Sequence, residues 1–468
     1  MQFKKITNEI ITRLKKIVGD EYVLFDSENL EKYGRDETEN LLFKPEVVVK
    51  PITPQEVSEI LKLANTEFIS VTPRGAGTGL SGGALPIYSG ISLSMERFNK
   101  ILEIDERNLQ ATVEPGVINE AFQNAVKEKG LFYPPDPASK GSCFLGGNVA
   151  ESSGGPKCVK YGTTKDYILN LEVVLPTGEI IYTGANTLKN STGYNLTQLM
   201  IGSEGTLGIV TKIIVKLLPH PRYDLLMLVP FRSLDEACEA VSEVFRSGFT
   251  PSALELMERD ALDYVCKFVE SSVVKLTEDI QAHLLIEVDG NDMNVLMKEM
   301  EAISELMSKY NVADILFAES AAQKEELWKL RRKINEAVKS NAISKEQDTV
   351  VPRAELPKLV KGVKDVGNNY NFKTVCYGHA GDGNLHIRLI KGDLTHEQWN
   401  GDYIKKAIAE IFMLCKQLGG TISGEHGIGL IQQEYVKIVF SEKTLELQRS
   451  IKTIFDPKGI LNPGKMFG

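Results

Sequence analysis

The sequence contains few cysteines, histidines and tryptophans. Its 468 residues include six cysteines, six histidines and two tryptophans. The cysteines, at positions 143, 158, 238, 266, 376 and 415, form no Cys-x-x-Cys pair. This spacing excludes a thiolate zinc site and a ferredoxin-type iron–sulfur cluster, and we expect reduced, mostly buried thiols. Iron–sulfur centres, if they take part in the function, must lie on another chain.

Long hydrophobic runs are also missing. No run approaches the roughly 18 apolar residues of a membrane-spanning helix, and the apolar stretch Ile209–Leu218 is interrupted by Lys212 and Lys216. Residues 1–16 lack the apolar core of a signal peptide. A formal net charge of −9 argues against a nucleic-acid partner. These absences predict a cytoplasmic protein without a transmembrane segment.

The chain is long enough for two domains. It exceeds the roughly 250–300 residues at which a single core stops growing, and its composition, 42% hydrophobic and 25% charged, is that of a globular protein. Pro219 and Pro221 interrupt a region of alternating strands and helices. We predict a helical lead-in at 1–40, a first domain at 41–221, a second domain at 222–400 and a C-terminal segment at 401–468.

Several helices can be predicted from the spacing of apolar residues. Helical periodicity indicates long helices near 292–309, 321–343 and 403–418. Thr53, with Glu56 three positions later, is typical of the N-terminus of a helix.

Three of the six histidines lie in two glycine-flanked segments, residues 378–386 and 423–427. The Asp-Gly pair at 382–383 predicts a two-residue hairpin turn, which would place His379 and His386 directly opposite each other, with Cβ atoms about 4.5–5.5 Å apart. Two imidazoles could then bind one metal ion, and Glu425 would supply the third ligand that catalytic zinc sites typically have. A hydrogen-bonded pair of strand histidines is the alternative.

The densest glycine cluster is Pro73–Ala84. Gly77, Gly79 and Gly82 match the dinucleotide fingerprint, but a Rossmann site needs a helix to begin at the loop, whereas a strand-like segment, Ile91–Ser94, follows here. The cluster is therefore predicted to be a nest of backbone amides for a pyrophosphate, with a flexible loop as the alternative. Further glycine-rich stretches at 141–155 and 202–208 indicate one extended dinucleotide ligand.

These segments together resemble a known family. In sequence and order they are similar to flavoproteins with the vanillyl-alcohol-oxidase-type FAD fold, in the branch of D-lactate dehydrogenase, D-2-hydroxyglutarate dehydrogenase and the glycolate oxidase catalytic subunit. The matching segments are Pro73–Ala84, Pro134–Pro137, Gly202–Thr211, Gly378–His386, Ser423–Gly429 and Asp456–Lys465. The resemblance implies an α+β fold with an FAD-binding domain at 41–221, a cap of antiparallel sheet and helices at 222–400, and a segment at 401–468 that completes the metal and FAD sites.

The resemblance also implies which residues bind FAD. They are Arg74, Gly75, Gly77, Thr78, Gly79, Pro135, Ser142, Gly146, Glu204, Gly208, Ile209 and Asn462. A histidyl link to the flavin from the first domain is excluded, because the earliest histidine is His220. We expect non-covalent FAD, with a thioether to Cys143 or Cys158 as the alternative.

For the reaction site, the resemblance implies that His379, His386 and Glu425 bind a divalent metal and that His426 accepts the substrate proton. The chemistry is consistent, since a metal lowers the pKa of a bound hydroxyl and an imidazole with an ordinary pKa of about 6.5 can take its proton. Two histidines and a glutamate suit zinc, manganese or iron. The family pattern places the substrate carboxylate on Arg331, with Arg332 as the alternative.

The substrate predicted on this basis is a small 2-hydroxy acid, D-lactate or glycolate, which would be oxidised to the 2-oxo acid. The D-2-hydroxyglutarate branch has threonine and lysine where this chain has Asn335 and Glu346, which disfavours a dicarboxylate. D-2-hydroxyglutarate dehydrogenase, an alkyl-transfer enzyme of the same fold, a non-catalytic flavin subunit and a flavin-free zinc hydrolase with Glu425 as base are the alternatives.

The electron acceptor is left open between a quinone, a cytochrome, an electron-transferring flavoprotein and an iron–sulfur subunit. No nicotinamide site is encoded. Peripheral association with the inner face of the membrane is consistent with several of these acceptors.

Overall fold

The structure is a computed structural model that describes residues 2–38, 41–269, 274 and 276–467. The chain forms two compact units. Unit 1 contains Met1–Gly154, Thr163–His220 and Glu425–Gly468, and unit 2 contains Gly155–Gly162 and Pro221–Gly424. The predicted domain limits at residues 1, 40 and 468 lie outside the described residues.

The elements are numbered in chain order within the described residues. The strands are β1 Val23–Leu24, β2 Val47–Val49, β3 Val71–Arg74, β4 Ile91–Ser94, β5 Ile101–Asp105, β6 Gln110–Val113, β7 Leu131–Phe132, β8 Ile168–Val174, β9 Ile180–Tyr182, β10 Ile209–Lys216, β11 Leu218–Pro219, β12 Tyr223–Phe231, β13 Ala253–Glu258, β14 Ala282–Gly290, β15 Leu316–Phe317, β16 Ser344–Val350, β17 Lys373–His379 and β18 Asn384–Ile390. The helices are α1 Asn8–Val18, α2 Ser27–Lys32, α3 Pro54–Glu67, α4 Asn119–Lys127, α5 Leu145–Glu151, α6 Cys158–Tyr161, α7 Leu196–Met200, α8 Leu234–Arg246, α9 Arg259–Val269, α10 Met293–Met307, α11 Ala321–Asn341, α12 Leu356–Asn369, α13 His396–Asn400, α14 Asp402–Gln417, α15 Val436–Val439 and α16 Glu442–Phe455.

The first sheet of unit 1 positions the glycine-rich loop. Its strand order is β1-β2-β4-β3, and β3 and β2 are both parallel to β4. The crossover from β2 to β3 is α3, which begins at Thr53, whose side chain accepts a hydrogen bond from the Glu56 amide at 3.2 Å. Apolar residues of α1, α3 and the strands form one core that also contains Ile460 and Leu461. Segments distant in sequence therefore share the core of unit 1.

Two further sheets complete unit 1. A five-stranded antiparallel sheet has the order β5-β6-β10-β8-β9, and β7 pairs with β11. The loop at 202–208 leads directly into β10, whose inward side chains are Val and Ile. The second sheet thus fixes the position of this second glycine-rich loop.

Unit 2 is built on one seven-stranded antiparallel sheet. The strand order is β15-β12-β14-β13-β17-β18-β16. Helices α9 and α11 pack against it through an apolar cluster that includes Leu262, Trp328 and Ile334. The predicted α+β class, with an antiparallel sheet and helices in the second half, is confirmed.

All six cysteines are free thiols, and Cys143, Cys238, Cys376 and Cys415 are buried. The expected burial of most of the cysteines is therefore confirmed, and their reduced state stays a prediction. Burial raises the pKa of the Cys143 and Cys376 thiols, which keeps them protonated and unreactive.

Candidate active site

The hairpin formed by β17 and β18 carries the two histidines of the predicted metal site. The predicted two-residue turn at Asp382 and Gly383 is wrong, because Ala380–Asp382 form a 3-10 turn and Gly383 follows with φ 84°. The register shifts accordingly, so that His379 and His386 are diagonal neighbours on one face. Diagonal positions are still within reach of ring side chains, and the two imidazole centroids lie 5.5 Å apart.

One face of the unit 2 sheet is polar across four adjacent strands. Partners in neighbouring strands share a face, and residues two apart on a strand do as well. The face carries Glu255 on β13, Tyr377 and His379 on β17, Asn384, His386 and Arg388 on β18, and Glu346 and Asp348 on β16. Such a concentration of buried polar groups is stable only when the groups are paired.

Glu255 joins two of the predicted site residues. Nδ1 of His379 lies 2.9 Å from both carboxylate oxygens, and Nε of Arg331 donates to Oε2 at 2.7 Å. Burial raises the pKa of Glu255, but the charges and hydrogen bonds of its two partners outweigh burial and hold the pKa below its usual value. An ionised carboxylate can only accept, so Nδ1 of His379 donates to it, and Nε2 has a lone pair when the imidazole is neutral.

Arg331 faces the interior of unit 2. It is 7% exposed, and its guanidinium lies 5.4 Å from the centroid of the Tyr377 ring. Its Nη2 is buried and has no hydrogen-bond acceptor among the described residues. Arg332 is half-buried and lies over the ring of Trp328, at 5.2 Å. An arginine whose Nε is bound and whose Nη2 has no acceptor can still donate to a carboxylate.

Arg388 is fully buried on the same face. Its Nη2 donates to Glu346 Oε2 at 2.6 Å and to Asn335 Oδ1, and its Nη1 donates to Ser344 Oγ at 3.0 Å. The hydroxyl of Tyr377, whose pKa is raised by burial, donates to Glu346 Oε1 at 3.3 Å. Asn335 and Glu346, the two positions at which the chain differs from the D-2-hydroxyglutarate branch, thus both accept hydrogen bonds from Arg388.

The two residues before Glu425 are hydrogen-bonded to β16. Asp348 lies directly opposite His386 in the β16–β18 pair. Its Oδ2 accepts hydrogen bonds from the Gly424 amide at 2.7 Å and from the Ser423 hydroxyl at 3.0 Å. The residue before Glu425 is therefore anchored to the strand partner of His386.

In unit 1, the loop after β3 presents a row of backbone amides. No N–H between Gly75 and Ala84 donates a hydrogen bond to another described residue. The next element is β4, so no helix begins at the loop and a Rossmann site is excluded. A Cβ added at Gly79 would meet no atom within 4 Å. Backbone amides without a protein acceptor can form a nest for an anion.

Arg74 adds a buried positive charge at this loop. It is 8% exposed, its Nη1 has no partner among the described residues, and its guanidinium lies 5.5 Å from the Tyr33 ring centroid. Gly77, with φ 77°, leaves room for it, since an added Cβ would lie 2.1 Å from Nη2 of Arg74. Burial lowers the pKa of Arg74, yet a guanidinium remains charged. These residues fit the diphosphate of a dinucleotide such as FAD.

Three of the predicted FAD-binding residues lie further along unit 1. Pro135 is buried, and its carbonyl accepts from Gln123 Nε2 at 3.0 Å. Ser142 is exposed, and its hydroxyl donates to the Ser139 carbonyl at 3.2 Å. Gly146 packs so closely that an added Cβ would lie 2.5 Å from Pro115 Cβ. Their roles toward FAD stay predictions.

Gly208 and Ile209 form the junction with β10. An added Cβ at Gly208 would lie 2.4 Å from Val173 Cγ1, so only glycine fits at this point. Ile209 is 2% exposed and pairs with Val174 in the sheet. Both residues have a clear packing role, and their contact with FAD stays a prediction.

A pair of buried carboxyl groups lies beside the segment that follows His426. Glu204 accepts hydrogen bonds from the amides of Ile428 at 2.8 Å and Gly429 at 2.7 Å. A Cβ on Gly427 would lie 2.1 Å from Glu151 Oε2 and 2.9 Å from Glu204 Oε1, so the two carboxyl groups are close neighbours. Burial raises the pKa of Glu204 to about 7. Burial and the charge of Glu204 raise the pKa of Glu151 well above its usual value.

The C-terminal segment of unit 1 contacts both glycine-rich loops. Asn462 Nδ2 donates to the carbonyls of Gly83 at 3.0 Å and Glu204 at 2.8 Å, and Lys465 Nζ donates to that of Gly82 at 2.9 Å. Burial lowers the pKa of Lys465 to about 8, so it is still largely charged at neutral pH. Asn462 therefore joins the two loops, and its predicted contact with FAD stays a prediction.

Glu425 and His426 begin the third segment of unit 1, and both are half-buried. Oε2 of Glu425 accepts a hydrogen bond from the Gly154 amide at 3.2 Å. The amides of Ile428 and Gly429, bound by Glu204, hold the residues that follow. Both site residues therefore lie in a segment with fixed neighbours on each side.

Sequence reasoning missed Glu255, Arg388 and Glu151. Glu255 and Arg388 are charged residues inside buried strands, Ala253–Glu258 and Asn384–Ile390. A charge at an inward strand position is a usable signal, because burying it requires a partner. Glu151 lies in a short helix without any such pattern.

The histidines of unit 2 fit a divalent metal. His379 presents Nε2 with its lone pair, because Nδ1 is bound by Glu255. Nδ1 of His386 lies 3.6 Å from Glu346, which is an ion-pair distance but too long for a hydrogen bond. Imidazoles whose second nitrogen is held by a carboxylate are the usual arrangement of histidine ligands to metals.

The fold and the two sets of residues define an FAD-linked oxidoreductase of the vanillyl-alcohol-oxidase type. The chain belongs to the FAD-linked oxidase family: the family model "FAD linked oxidases, C-terminal domain" matches residues 220–466, and the model "FAD binding domain" matches residues 45–184. The resemblance inferred from the motifs is confirmed.

Two relatives match nearly the whole chain. "Glycolate oxidase subunit GlcD" of Bacillus subtilis (strain 168) is 38% identical, over 99% of this chain and 97% of its own length. "D-lactate dehydrogenase" of Anaerostipes hadrus is 37% identical, over 99% and 98%. Among solved structures, 4-ethylphenol oxidase from Gulosibacter chungangensis has a TM-score of 0.77 at 20% identity, covering 100% of this chain and 99% of that one. This last similarity concerns the fold alone.

Within the described residues, no helix is both long and apolar enough to cross a bilayer.

Proposed function

We propose that the protein oxidises a small 2-hydroxy acid, D-lactate or glycolate, to the 2-oxo acid, with non-covalent FAD, a divalent metal and a non-nicotinamide electron acceptor. The observation that carries this proposal is the buried Nη2 of Arg331, which has no hydrogen-bond acceptor among the described residues and is held close to His379 through their shared partner Glu255. The names of the two full-length relatives point to the same pair of substrates.

In this proposal His379, His386 and Glu425 bind the metal, which is zinc, manganese or iron. A metal bound there would lower the pKa of the substrate hydroxyl and fix its position. Support comes from the protonated Nδ1 of His379, which leaves Nε2 as a neutral ligand, and from the anchoring of Gly424 next to Glu425. A two-histidine, one-carboxylate set suits each of the three metals.

His426 is proposed to take the proton of the substrate hydroxyl. A neutral imidazole, with an ordinary pKa of about 6.5, is a suitable base at neutral pH. The adjacent Glu425 would bring it next to the hydroxyl, and Glu204 keeps the following backbone in place. FAD, when bound, supplies the acceptor for the hydride that leaves the substrate carbon.

Arg331 is proposed to bind the substrate carboxylate through the edge that carries Nη2. A second carboxylate on the substrate would meet the negative charge of Glu346 on the same face, where Arg388 already binds that residue. Repulsion between like charges therefore favours a monocarboxylate over D-2-hydroxyglutarate. Electrons would then leave to a quinone, a cytochrome, an electron-transferring flavoprotein or an iron–sulfur subunit.

The test is an anaerobic titration of the purified protein with D-lactate, glycolate, D-2-hydroxyglutarate and L-lactate, followed by the absorbance of oxidised flavin. We expect D-lactate or glycolate to bleach the flavin, and prior treatment with a chelator to abolish bleaching. Bleaching only by D-2-hydroxyglutarate would contradict the substrate assignment. A flavin that none of the four bleaches would favour the alkyl-transfer or non-catalytic alternatives.

Two additional experiments test the non-covalent binding of FAD and the role of His426. Acid precipitation should release the flavin, because no covalent link is expected. In the same titration His426→Ala should keep FAD and metal but bleach at least about 100-fold more slowly, as expected for the loss of a general base. Unchanged bleaching would contradict the assignment of His426.

A further inference from the structure

We propose that Glu255 is a positioning residue that fixes both the tautomer of a metal-binding histidine and the orientation of the substrate-binding arginine. The inference rests on the function proposed above for His379 and Arg331. It gives Glu255 no contact with the substrate, the metal or the flavin.

The position of Glu255 follows from the register of the sheet. Leu256 of β13 pairs with Gly378 of β17, so the preceding residue, Glu255, faces His379 across the strands. Both carboxylate oxygens lie 2.9 Å from Nδ1 of His379, and Oε2 also accepts from Nε of Arg331 at 2.7 Å. The side chain has no exposed surface, so these contacts are not shared with bulk solvent.

A carboxylate buried to this degree is stable only if its partners offset the lost hydration. Any pair of donors could do so, but both partners here are proposed site residues. Because the carboxylate only accepts, it keeps the proton of His379 on Nδ1 and leaves Nε2 for the metal. Because it accepts from Nε of Arg331, it leaves Nη2 of that guanidinium available to donate to a carboxylate. The Tyr377 ring, 5.4 Å from the guanidinium, supports the same orientation.

Replacing Glu255 with glutamine removes the negative charge and keeps nearly the same side-chain size and shape. In Glu255→Gln one amide oxygen remains to accept from either His379 or Arg331, whereas the carboxylate serves both with two oxygens. The amide NH₂ can also donate to Nδ1, which would place the histidine proton on Nε2 and block metal binding. Metal binding and carboxylate binding should therefore weaken together.

The experiment compares Glu255→Gln with Glu258→Gln in FAD-loaded protein from which metal has been removed. Glu258 is a matched control, because it lies on the same strand, is 2% exposed and binds Lys364 at 2.7 Å, but occupies the opposite face. Calorimetric titration with Zn²⁺ or Mn²⁺ should show 10–100-fold weaker binding for Glu255→Gln, the usual effect of losing a carboxylate partner of a ligand histidine. Glu258→Gln should bind within about twofold of wild type.

Two further measurements separate a positioning role from a merely structural one. Nitrogen NMR of the labelled imidazoles should show His379 with its proton on Nδ1 in wild type and a shifted tautomer in Glu255→Gln. The KM for D-lactate or glycolate should rise together with the metal Kd. Glu255→Asp, which keeps the charge but is too short to reach both partners, should change the metal Kd in the same direction if the glutamine variant fails to fold.

The outcomes separate this inference from the proposed function. Wild-type protein that binds neither Zn²⁺ nor Mn²⁺ would overturn the proposed metal site and the role of Glu255 with it. Wild-type binding, combined with unchanged metal affinity and unchanged tautomer in Glu255→Gln, would overturn the positioning role alone.

Discussion

At the scale of single residues, Arg331 shows why a guanidinium differs from an ammonium at this place. Its Nε is bound by Glu255, and its Nη2 is buried without an acceptor among the described residues. A planar guanidinium can keep one edge on a structural partner and present the other edge to a ligand. A lysine ammonium has three donors on one nitrogen and lacks the planar fork that bonds both oxygens of a carboxylate.

Arg331→Lys is therefore expected to lower kcat/KM for D-lactate or glycolate by about 10–100-fold. The reason is the loss of a charge-assisted hydrogen bond to the substrate carboxylate, which is worth about 1.5–3 kcal/mol. Steady-state kinetics with an artificial electron acceptor measure the effect. Arg332→Lys, one position along the same helix, is the matched control and should stay within about twofold of wild type. Equal losses in the two variants would contradict the assignment of the carboxylate to Arg331.

At the scale of elements, the β17–β18 hairpin sets the distance between the two histidines. Its turn depends on Gly383, which has φ 84° and lies so close to β16 that an added Cβ would be 1.9 Å from the Val351 carbonyl oxygen. Gly392, in the turn after β18, also has positive φ, 51°, but an added Cβ there meets no atom within 4 Å. The two glycines differ in steric contact while sharing the left-handed backbone.

Gly383→Ala is expected to lower the free energy of unfolding by about 3 kcal/mol or more, and Gly392→Ala by about 1 kcal/mol. The first variant combines backbone strain with a clash, and the second carries strain alone. Urea unfolding measures the difference. Gly383→Ala should also lose bound metal, because a displaced turn moves His379 away from His386. Full metal content in a folded Gly383→Ala protein would show that the turn does not control the site.

The same elements show what can be predicted from sequence. Helices α10, α11 and α14 lie where apolar periodicity placed them, and α3 begins at its predicted cap, because both signals are local. The predicted hairpin register is wrong because the turn lies against Val351, the residue that follows β16. The sequence around the turn does not predict that contact.

The partners of the site residues were missed for a related reason. Glu255 is 124 positions from His379 and 76 from Arg331, and only the antiparallel register brings the three together. The motifs identified His379, His386 and Arg331 as candidates, since their residue types and glycine-rich neighbours are local features. The residues that orient them become visible only once the strand order is known.

At the scale of the whole molecule, the buried carboxyl pair of unit 1 makes stability depend on pH. The pKa of Glu204 is raised to about 7 and that of Glu151 well above its usual value, with Lys465 and, for Glu151, Asp36 as the other charged groups that face them. The folded protein therefore binds more protons than the unfolded chain above about pH 4.5. Stability contributed by these protonated groups is present at low pH and is lost as pH rises through the folded pKa values.

Glu151→Gln should remove part of this dependence, because an amide is neutral at every pH. We expect the variant to gain stability relative to wild type as pH rises from 5 to 8, by up to about 1.4 kcal/mol per pH unit for one proton. Urea unfolding at several pH values gives the comparison. Glu128→Gln, at an exposed position of the same unit, is the control and should show a constant difference. A difference for Glu151→Gln that falls with pH would reverse the sign and contradict the raised pKa.

The contacts of the C-terminal segment also determine the order in which the protein can mature. Lys465 binds the carbonyl of Gly82, which was synthesised 383 residues earlier, and all of Pro221–Gly424 is made in between. Because compact units fold as they emerge from the ribosome, unit 2 can fold before Lys465 is available to bind the glycine-rich loop at Gly82. Flavin retention by nascent chains arrested before and after residue 465 would measure this order. We expect stable flavin retention only after Lys465 has left the ribosome, so that unit 1 would reach its complete form after unit 2.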